Sequence, residues 1–242
     1  MWVGDELVAN PRLEAVTTLA AIAARTERVR LGLCCLATFP LRQPVLFAAT
    51  WASLKALSSG RTHLPPSMVT SPASARSLSS PGQDPCPIWI ASNPNPERLS
   101  PELYLKAIDR VALRTDGWQT AVTDPATFGR QWDRIRARAA DHGRGPHLLW
   151  SSTHLMVNLA DTVEEGCTAG KAFLDRYHTR DTPPEIMDCW GAYGDADTVA
   201  ARIMSYVDRG LDIPILRMAS NNQTTMLERV REELVPRLGV AA

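Results

Sequence analysis

Apolar positions along the chain alternate between short continuous runs and runs at helical spacing. Leu13, Val16, Leu19, Ala20 and Ala23 recur every three or four residues, which predicts a first helix, with Asn10-Pro11 as cap and first-turn proline. Arg28–Leu36 reads as a buried strand. Pro44 opens a second helix to about Ser58, apolar at Val45, Ala48, Ala49, Ala52 and Leu57, and Ser58-Ser59-Gly60 closes it. Pro87–Ser92 predicts a short strand, Leu99–Leu113 a helix, and Gly117–Thr120 a strand. Asp124-Pro125 starts a long polar helix to about Asp141, and Leu148–Leu159 is a longer strand with an irregularity at Ser151-Ser152. Asp161 caps a helix to about Tyr177, and Asp195 one to about Arg209 that stops at Gly210. Ile213–Met218 is the last strand and Thr224–Leu238 the last helix.

Strands that are apolar throughout, alternating with helices, predict an α/β protein with a parallel sheet covered by helices. A doubly wound open sheet and a β/α barrel both fit this pattern. No GxGxxG follows any strand, so a dinucleotide-binding start is absent. About six strand–helix units can be counted by this reading, short of the eight in a closed barrel. Pro65–Pro87 breaks the rhythm: six Pro and six Ser in 23 residues, with Arg76 and Asp84 as the sole charges. Such composition buries little apolar surface and predicts a flexible segment interrupting a single domain.

Composition narrows the partners. Lys plus Arg and Asp plus Glu number 26 each, and a balanced chain lacks the clustered cations that a phosphate backbone demands. No apolar run approaches the roughly 20 residues of a membrane span. The expectation is a cytoplasmic protein with no nucleic-acid and no membrane partner. Cys34, Cys35, Cys86, Cys167 and Cys189 are odd in number and lack CxxC spacing, and the five His are scattered. Reduced thiols and no metal site follow. The start, Met1–Glu6, lacks a cationic stretch followed by an apolar one, so no signal peptide is expected.

Several ordered segments resemble the bacterial luciferase-like monooxygenase family. They are Trp2-Val-Gly-Asp5, Pro11–Ala20, Arg28-Val-Arg-Leu-Gly32, Phe39–Pro44, Trp51–Leu54 with Ser59-Gly60-Arg61, Pro87–Ile90, Thr115–Trp118, and Tyr193–Arg202 with Gly210 and Leu216-Arg217. The resemblance implies a (β/α)8 TIM-type barrel holding reduced FMN or a deazaflavin of the coenzyme F420 type at the carboxyl ends of its strands. It also implies monooxygenation or hydride transfer on a small organic substrate and, since many relatives pair, a homodimer. Against that pattern Met1 falls on the second strand, so the first strand–helix unit is missing. A block after about residue 62 is missing too, so the expected barrel is incomplete.

The resemblance also selects candidate residues. Asp5 and Glu6 end the first strand on the catalytic face of a barrel and are candidate catalytic carboxylates. Deazaflavin-using relatives often have His where Glu6 stands, so that role does not transfer. Cys34-Cys35 matches a bulged strand that lies against the flavin. Ser92-Asn93 at a strand end offers hydroxyl, amide and backbone N–H groups to a phosphate, and Gly117 a close backbone approach. Asp5, Cys34, Cys35, Ser92, Asn93 and Gly117 are the cofactor-binding candidates. Ordinary packing accounts for Trp51, Trp89, Trp118, Trp132, Trp150, Trp190 and His154, and a rim salt bridge for Arg217. Two other readings remain: a truncated, inactive relative that acts as an interaction partner, and a plain α/β binding module.

Overall fold

The computed structural model describes residues 1–5, 13–38, 41–63, 88–97 and 99–239; of Cys35 and Leu148 it describes the backbone alone. Glu6, the Asn10-Pro11 pair and the Pro/Ser-rich stretch lie outside the described residues. The chain forms two compact units: Met1–Ala91 with Arg114–Trp118, and Ser92–Leu113 with Gln119–Ala242.

The first unit is built on three parallel strands in the order β1 (Trp2–Asp5), β2 (Leu31–Leu36), β3 (Thr62–His63). Trp2 pairs with Gly32, and Gly32 with His63. Helices α1 (Ala15–Arg25) and α2 (Pro44–Leu57) make the strand connections. Val16, Leu19, Leu31, Leu33, Phe47, Trp51 and Leu54 form the core between helices and strands. Glu14, not Asn10, caps α1, its carboxylate accepting from Val16 N and Thr17 N. A carboxylate at that end also complements the helix dipole.

Arg61 ties the unit together. Its guanidinium donates to Ser58 O (2.8 Å), Thr26 Oγ1 (3.0 Å), Val29 O (2.9 Å) and Ala23 O (3.0 Å). One planar cation thereby satisfies carbonyls orphaned at the ends of both helices, and its own backbone O accepts from Leu31 N. The turn ahead of it needs left-handed backbone at Ser59 (φ 54°) and Gly60 (φ 80°), as the Ser-Ser-Gly stop predicts. A short strand β4 (Trp89–Ala91) follows, and Ile88 O accepts from both Asp116 N and Gly117 N.

In the second unit β6 (Trp150–Leu159) is central, flanked in parallel by β7 (Gly191–Gly194) and β8 (Ile213–Met218). The strand β5 (Gly117–Ala121) runs from the first unit into the second and is next to β6 in strand order. The helices are α3 (Pro101–Arg114), α4 (Pro125–Asp141), α5 (Val163–His178), α6 (Pro184–Trp190), α7 (Ala196–Val207) and α8 (Gln223–Arg229). Parallel strands alternating with helices make this the α/β fold expected. Among the described residues the strand pairings form a three-stranded and a five-stranded group and do not close into a ring, in keeping with an incomplete barrel.

Several local expectations are corrected. Thr162 rather than Asp161 caps α5, in a reciprocal capping box with Glu165. Helix α6 and strand β7 are additional; seven and four residues are too short to show a period. The last helix is one α-turn segment followed by a π turn (Val230–Leu234) and a 3-10 turn (Val235–Leu238), because Pro236 has no N–H to continue the ladder. Trp150 is exposed, not packed in the core. Among the described residues Arg217 forms no rim salt bridge: its guanidinium lies 4.0 Å from the Tyr177 ring centre and donates to Tyr177 Oη. His154 sits edge-on to Trp190, whose Nε1 donates to His154 O.

Substituting Arg61 with Ala strands three carbonyls and should lower unfolding stability by about 2–4 kcal/mol. Arg61→Lys, a point charge without the planar fork, should recover less than half of that; urea midpoints of the three proteins check it. A pH effect is also expected. Burial, then Arg217, lowers His154 to about 4. Burial, then Arg30 and the chain's amino terminus, lowers His63 to about 4. Both folded values lie below the ordinary 6.5, so the unfolded chain binds the proton more readily. Stability is intact above about pH 6.5 and falls toward pH 4, by up to about 3 kcal/mol per histidine. His154→Phe and His63→Phe should each flatten part of that acid limb, read by urea unfolding across the pH range.

Candidate active site

The most elaborated polar arrangement at the strand ends belongs to the first unit. Val3 pairs with Leu33 but Asp5 with Leu36, so two steps along β1 face three along β2. The extra residue falls at Cys34-Cys35, which is where a bulged strand is expected. A bulge turns backbone out of the ladder and bends the strand, a device frequent beside active sites. Cys34 is half-buried and not part of a disulfide.

Asp5 is buried opposite that bulge. Its Oδ2 accepts from Thr38 N (2.9 Å) and Thr38 Oγ1 (2.6 Å), and its Oδ1 from Arg42 Nη2 (3.1 Å). Arg42 Nε donates to Thr38 Oγ1 (2.8 Å), and Arg42 Nη2 also to Glu14 Oε1 (2.8 Å). The guanidinium carbon lies 5.1 Å from the centre of the Phe47 ring. Burial alone would raise the Glu14 carboxyl; hydrogen bonds from Thr17 N, Arg42, Val16 N and the Thr17 hydroxyl outweigh it and hold the group down at about 2. Both Asp5 oxygens are thus committed to donors of the loop after β2. The arrangement fixes that loop against the β1 end.

Gly117 serves an aromatic neighbour. A Cβ there would stand 2.4 Å from the Trp89 ring, and Gly32 stands in the same relation to Trp2 at 2.6 Å. Trp2 in turn stacks on His63 and meets Trp89 edge-on, with centroids 6.2 and 6.0 Å apart.

The other candidates lie in the second unit. Ser92 N donates to Gln119 O (2.9 Å). Asn93 Oδ1 accepts from Thr120 Oγ1 (2.7 Å) and Ala121 N (3.1 Å), so the end of this exposed side chain left to meet a ligand is its NH2. Gln131 Nε2 donates to Pro94 O, while the buried Gln131 Oε1 has no hydrogen-bond partner among the described residues. Ser92–Pro94 is accordingly a braced turn at a strand end that turns the Asn93 NH2 outward as a donor.

Sequence reasoning brought Asp5 and Cys34-Cys35 to one strand end but missed Thr38, Arg42 and Glu14. A signal was present. Arg42 stands two residues before Pro44, at the positive end of a helix, where a cation is disfavoured unless carboxylates hold it.

Removing the shared hydroxyl with Thr38→Val should cost about 1–2 kcal/mol. Asp5→Asn should cost about 2–4 kcal/mol, since it turns an NH2 toward Arg42. Both should speed hydrogen exchange at the Thr38 amide, and unchanged exchange in either variant would remove the clamp assigned to Asp5.

Residues 1–65 match the family model described as luciferase-like monooxygenase. No curated protein matches the chain. Among solved structures, it is similar to coenzyme F420-dependent tetrahydromethanopterin reductase from Methanopyrus kandleri, at 12% identity, TM-score 0.70, covering 98% of this chain and 90% of that one. It is similar to an F420-dependent secondary alcohol dehydrogenase solved with an F420-acetone adduct, at 13% identity, TM-score 0.72, covering 98% and 89%. A third is monooxygenase RslO1 from Streptomyces bottropensis, at 16% identity, TM-score 0.70, covering 97% and 87%. Among the described residues no helix is long and apolar enough to cross a membrane. The chain resembles the luciferase-like monooxygenases: in sequence over residues 1–65, which hold the Asp5 clamp and the β2 bulge, and in its alternating α/β fold over nearly its whole length.

Proposed function

We propose that this protein is an oxidoreductase using reduced FMN or an F420-type deazaflavin to oxidise, reduce or monooxygenate a small organic substrate. The observation that carries the reading is the bulge at Cys34-Cys35 opposite the clamped Asp5, inside the stretch that matches the family. The donor set fits the uncharged, flat part of such a cofactor. Small residues and displaced backbone at 34–35 can approach a ring, and the nearby cation, Arg42, is already held by Asp5 and Glu14. When bound, such a cofactor supplies hydride transfer or, reduced and with oxygen, monooxygenation. Asp5 holds Thr38 and the loop behind the ring in place. Glu6 remains a second candidate carboxylate beside it. In the second unit Ser92 and Asn93 are a separate candidate for holding an anionic group, and Gly117 acts by admitting Trp89. The thiols of Cys34 and Cys35 have no chemical part in this reading; their backbone does.

Two observations favour a second reading, an inactive relative that works as an interaction partner. Among the described residues the strands do not close into a ring, and both Asp5 oxygens are engaged.

Anaerobic calorimetric titration with reduced FMN, and separately with reduced F420-type deazaflavin, distinguishes the two. Binding of one cofactor in the micromolar range is expected, weakened at least about tenfold, or 1.4 kcal/mol, by Cys34→Phe with circular dichroism unchanged. A folded protein that takes up neither cofactor at millimolar concentration is the inactive relative.

A further inference from the structure

Arg217 is the charged residue of β8, a strand otherwise made of Ile, Pro, Leu and Met. It pairs with Met156 of β6, and Ile215 pairs with His154. Alternate residues of a strand share a side, so Arg217 and His154 project from the same face of the sheet on neighbouring strands. Helix α5 lays Phe173, Tyr177 and His178 over that face, and α6 adds Trp190. The guanidinium carbon lies 4.0 Å from the Tyr177 ring centre and 5.8 Å from that of Phe173. His178 stacks on Trp190 with centroids 5.8 Å apart, and Trp190 meets His154 edge-on at 5.8 Å. His154, Tyr177, His178, Trp190 and Arg217 are each half-buried, so the cluster reaches solvent.

The cation of this cluster lacks a carboxylate. Arg138, Arg229 and Arg237 of the same unit each meet one, on Asp109, Glu233 and Asp197. Among the described residues Arg217 meets none, and its one hydrogen bond there is the donation from Nη1 to Tyr177 Oη at 3.0 Å. Arg217 Nε is buried and has no hydrogen-bond partner among the described residues. A buried donor left unsatisfied is costly. With Nη1 taken by Tyr177, the side of the guanidinium still to be used is the edge that carries the Nε and Nη2 hydrogens. Those two N–H bonds run parallel and match the two oxygens of a carboxylate.

We infer that this cluster is a binding site for a small organic molecule carrying one carboxylate and a flat apolar body. The carboxylate takes the Nε–Nη2 edge and gives the orphaned Nε its acceptor. Tyr177 holds the other side of the guanidinium through both its hydroxyl and its ring, so the fork is set before a ligand arrives. The exposed parts of the Tyr177 and Trp190 rings supply the apolar wall. The charge suits a monoanion, because His154, lowered to about 4 by burial and then by Arg217, is uncharged at neutral pH. The surroundings do not suit a phosphate. Tyr177 and His178 end α5, so the helix terminus turned toward the cluster is the negative one. The site lies wholly within the second unit and does not rest on the cofactor reading.

The test is calorimetric titration of the full chain with sodium benzoate, with benzamide and inorganic phosphate as comparisons. Benzoate should bind with a dissociation constant below about 1 mM, and the uncharged amide and the phosphate at least about tenfold more weakly. Arg217→Lys keeps the charge but removes the fork, and should weaken benzoate at least about tenfold with circular dichroism unchanged. A second measurement uses the unaltered protein: in nitrogen–proton NMR spectra benzoate should move the Trp190 indole N–H signal, identified by its loss in Trp190→Phe. Four results would each overturn the inference. They are no binding of benzoate at about 10 mM, equal binding by a folded Arg217→Lys, binding matched by benzamide or phosphate, and a Trp190 signal that stays in place while benzoate binds.

Discussion

A parallel strand must hand its chain to a loop at the same edge as its neighbours, and in the first unit that handover hangs on the carboxylate of Asp5. It is buried, so its oxygens must be satisfied by protein. Thr38 and Arg42 satisfy them, and both belong to the connection that leaves β2. The bulge at Cys34-Cys35 makes this geometry possible, because the extra residue brings Leu36, and the loop after it, level with Asp5. Glu14 then anchors the far side of Arg42 while capping α1. Strand end, loop and both helix starts are thus joined through one guanidinium.

Packing in both units obeys a second constraint, in which aromatic rings lie over glycines. Trp2 covers Gly32 and Trp89 covers Gly117; in the second unit the Tyr193 ring fills the space where Gly191 and Gly170 would carry a Cβ. The same burial pushes the Tyr193 hydroxyl well above its ordinary range. A glycine in a strand weakens it by itself; here the lost side chain is replaced by a ring from a neighbour. Gly117 suggested a close approach by a ligand, and the close approach exists, made by an indole of the protein itself.

The candidate site was legible in part. Asp5 and Cys34-Cys35 stand at the ends of readable strands within a recognisable stretch, so their placement on one edge followed. Thr38 and Arg42 were not legible, because a hydroxyl and a cation in a Pro-rich loop have many ordinary uses and their partners are 33 and 37 residues away. Arg61 was visible as part of a motif, while its four-acceptor clamp was not. Arg217 was read by its charge alone, and the aromatic surface of Tyr177 claimed it.

Local chemistry decided what could be decided locally. Asp124 and Asp195 cap their helices, Gly60 and Gly210 end them with positive φ, and Ile213–Met218 is the last strand, all as the residues require. These outcomes depend on contacts within a few positions, so the amino-acid order alone determined them. Tertiary structure decided which side of α2 meets the core. Both sides of that helix are apolar, and hydrophobicity without contrast carries no direction. The larger rings of Phe47 and Trp51, with Leu54, fill the space against α1 and the strands, and Val45, Leu46 and Leu57 are left outside.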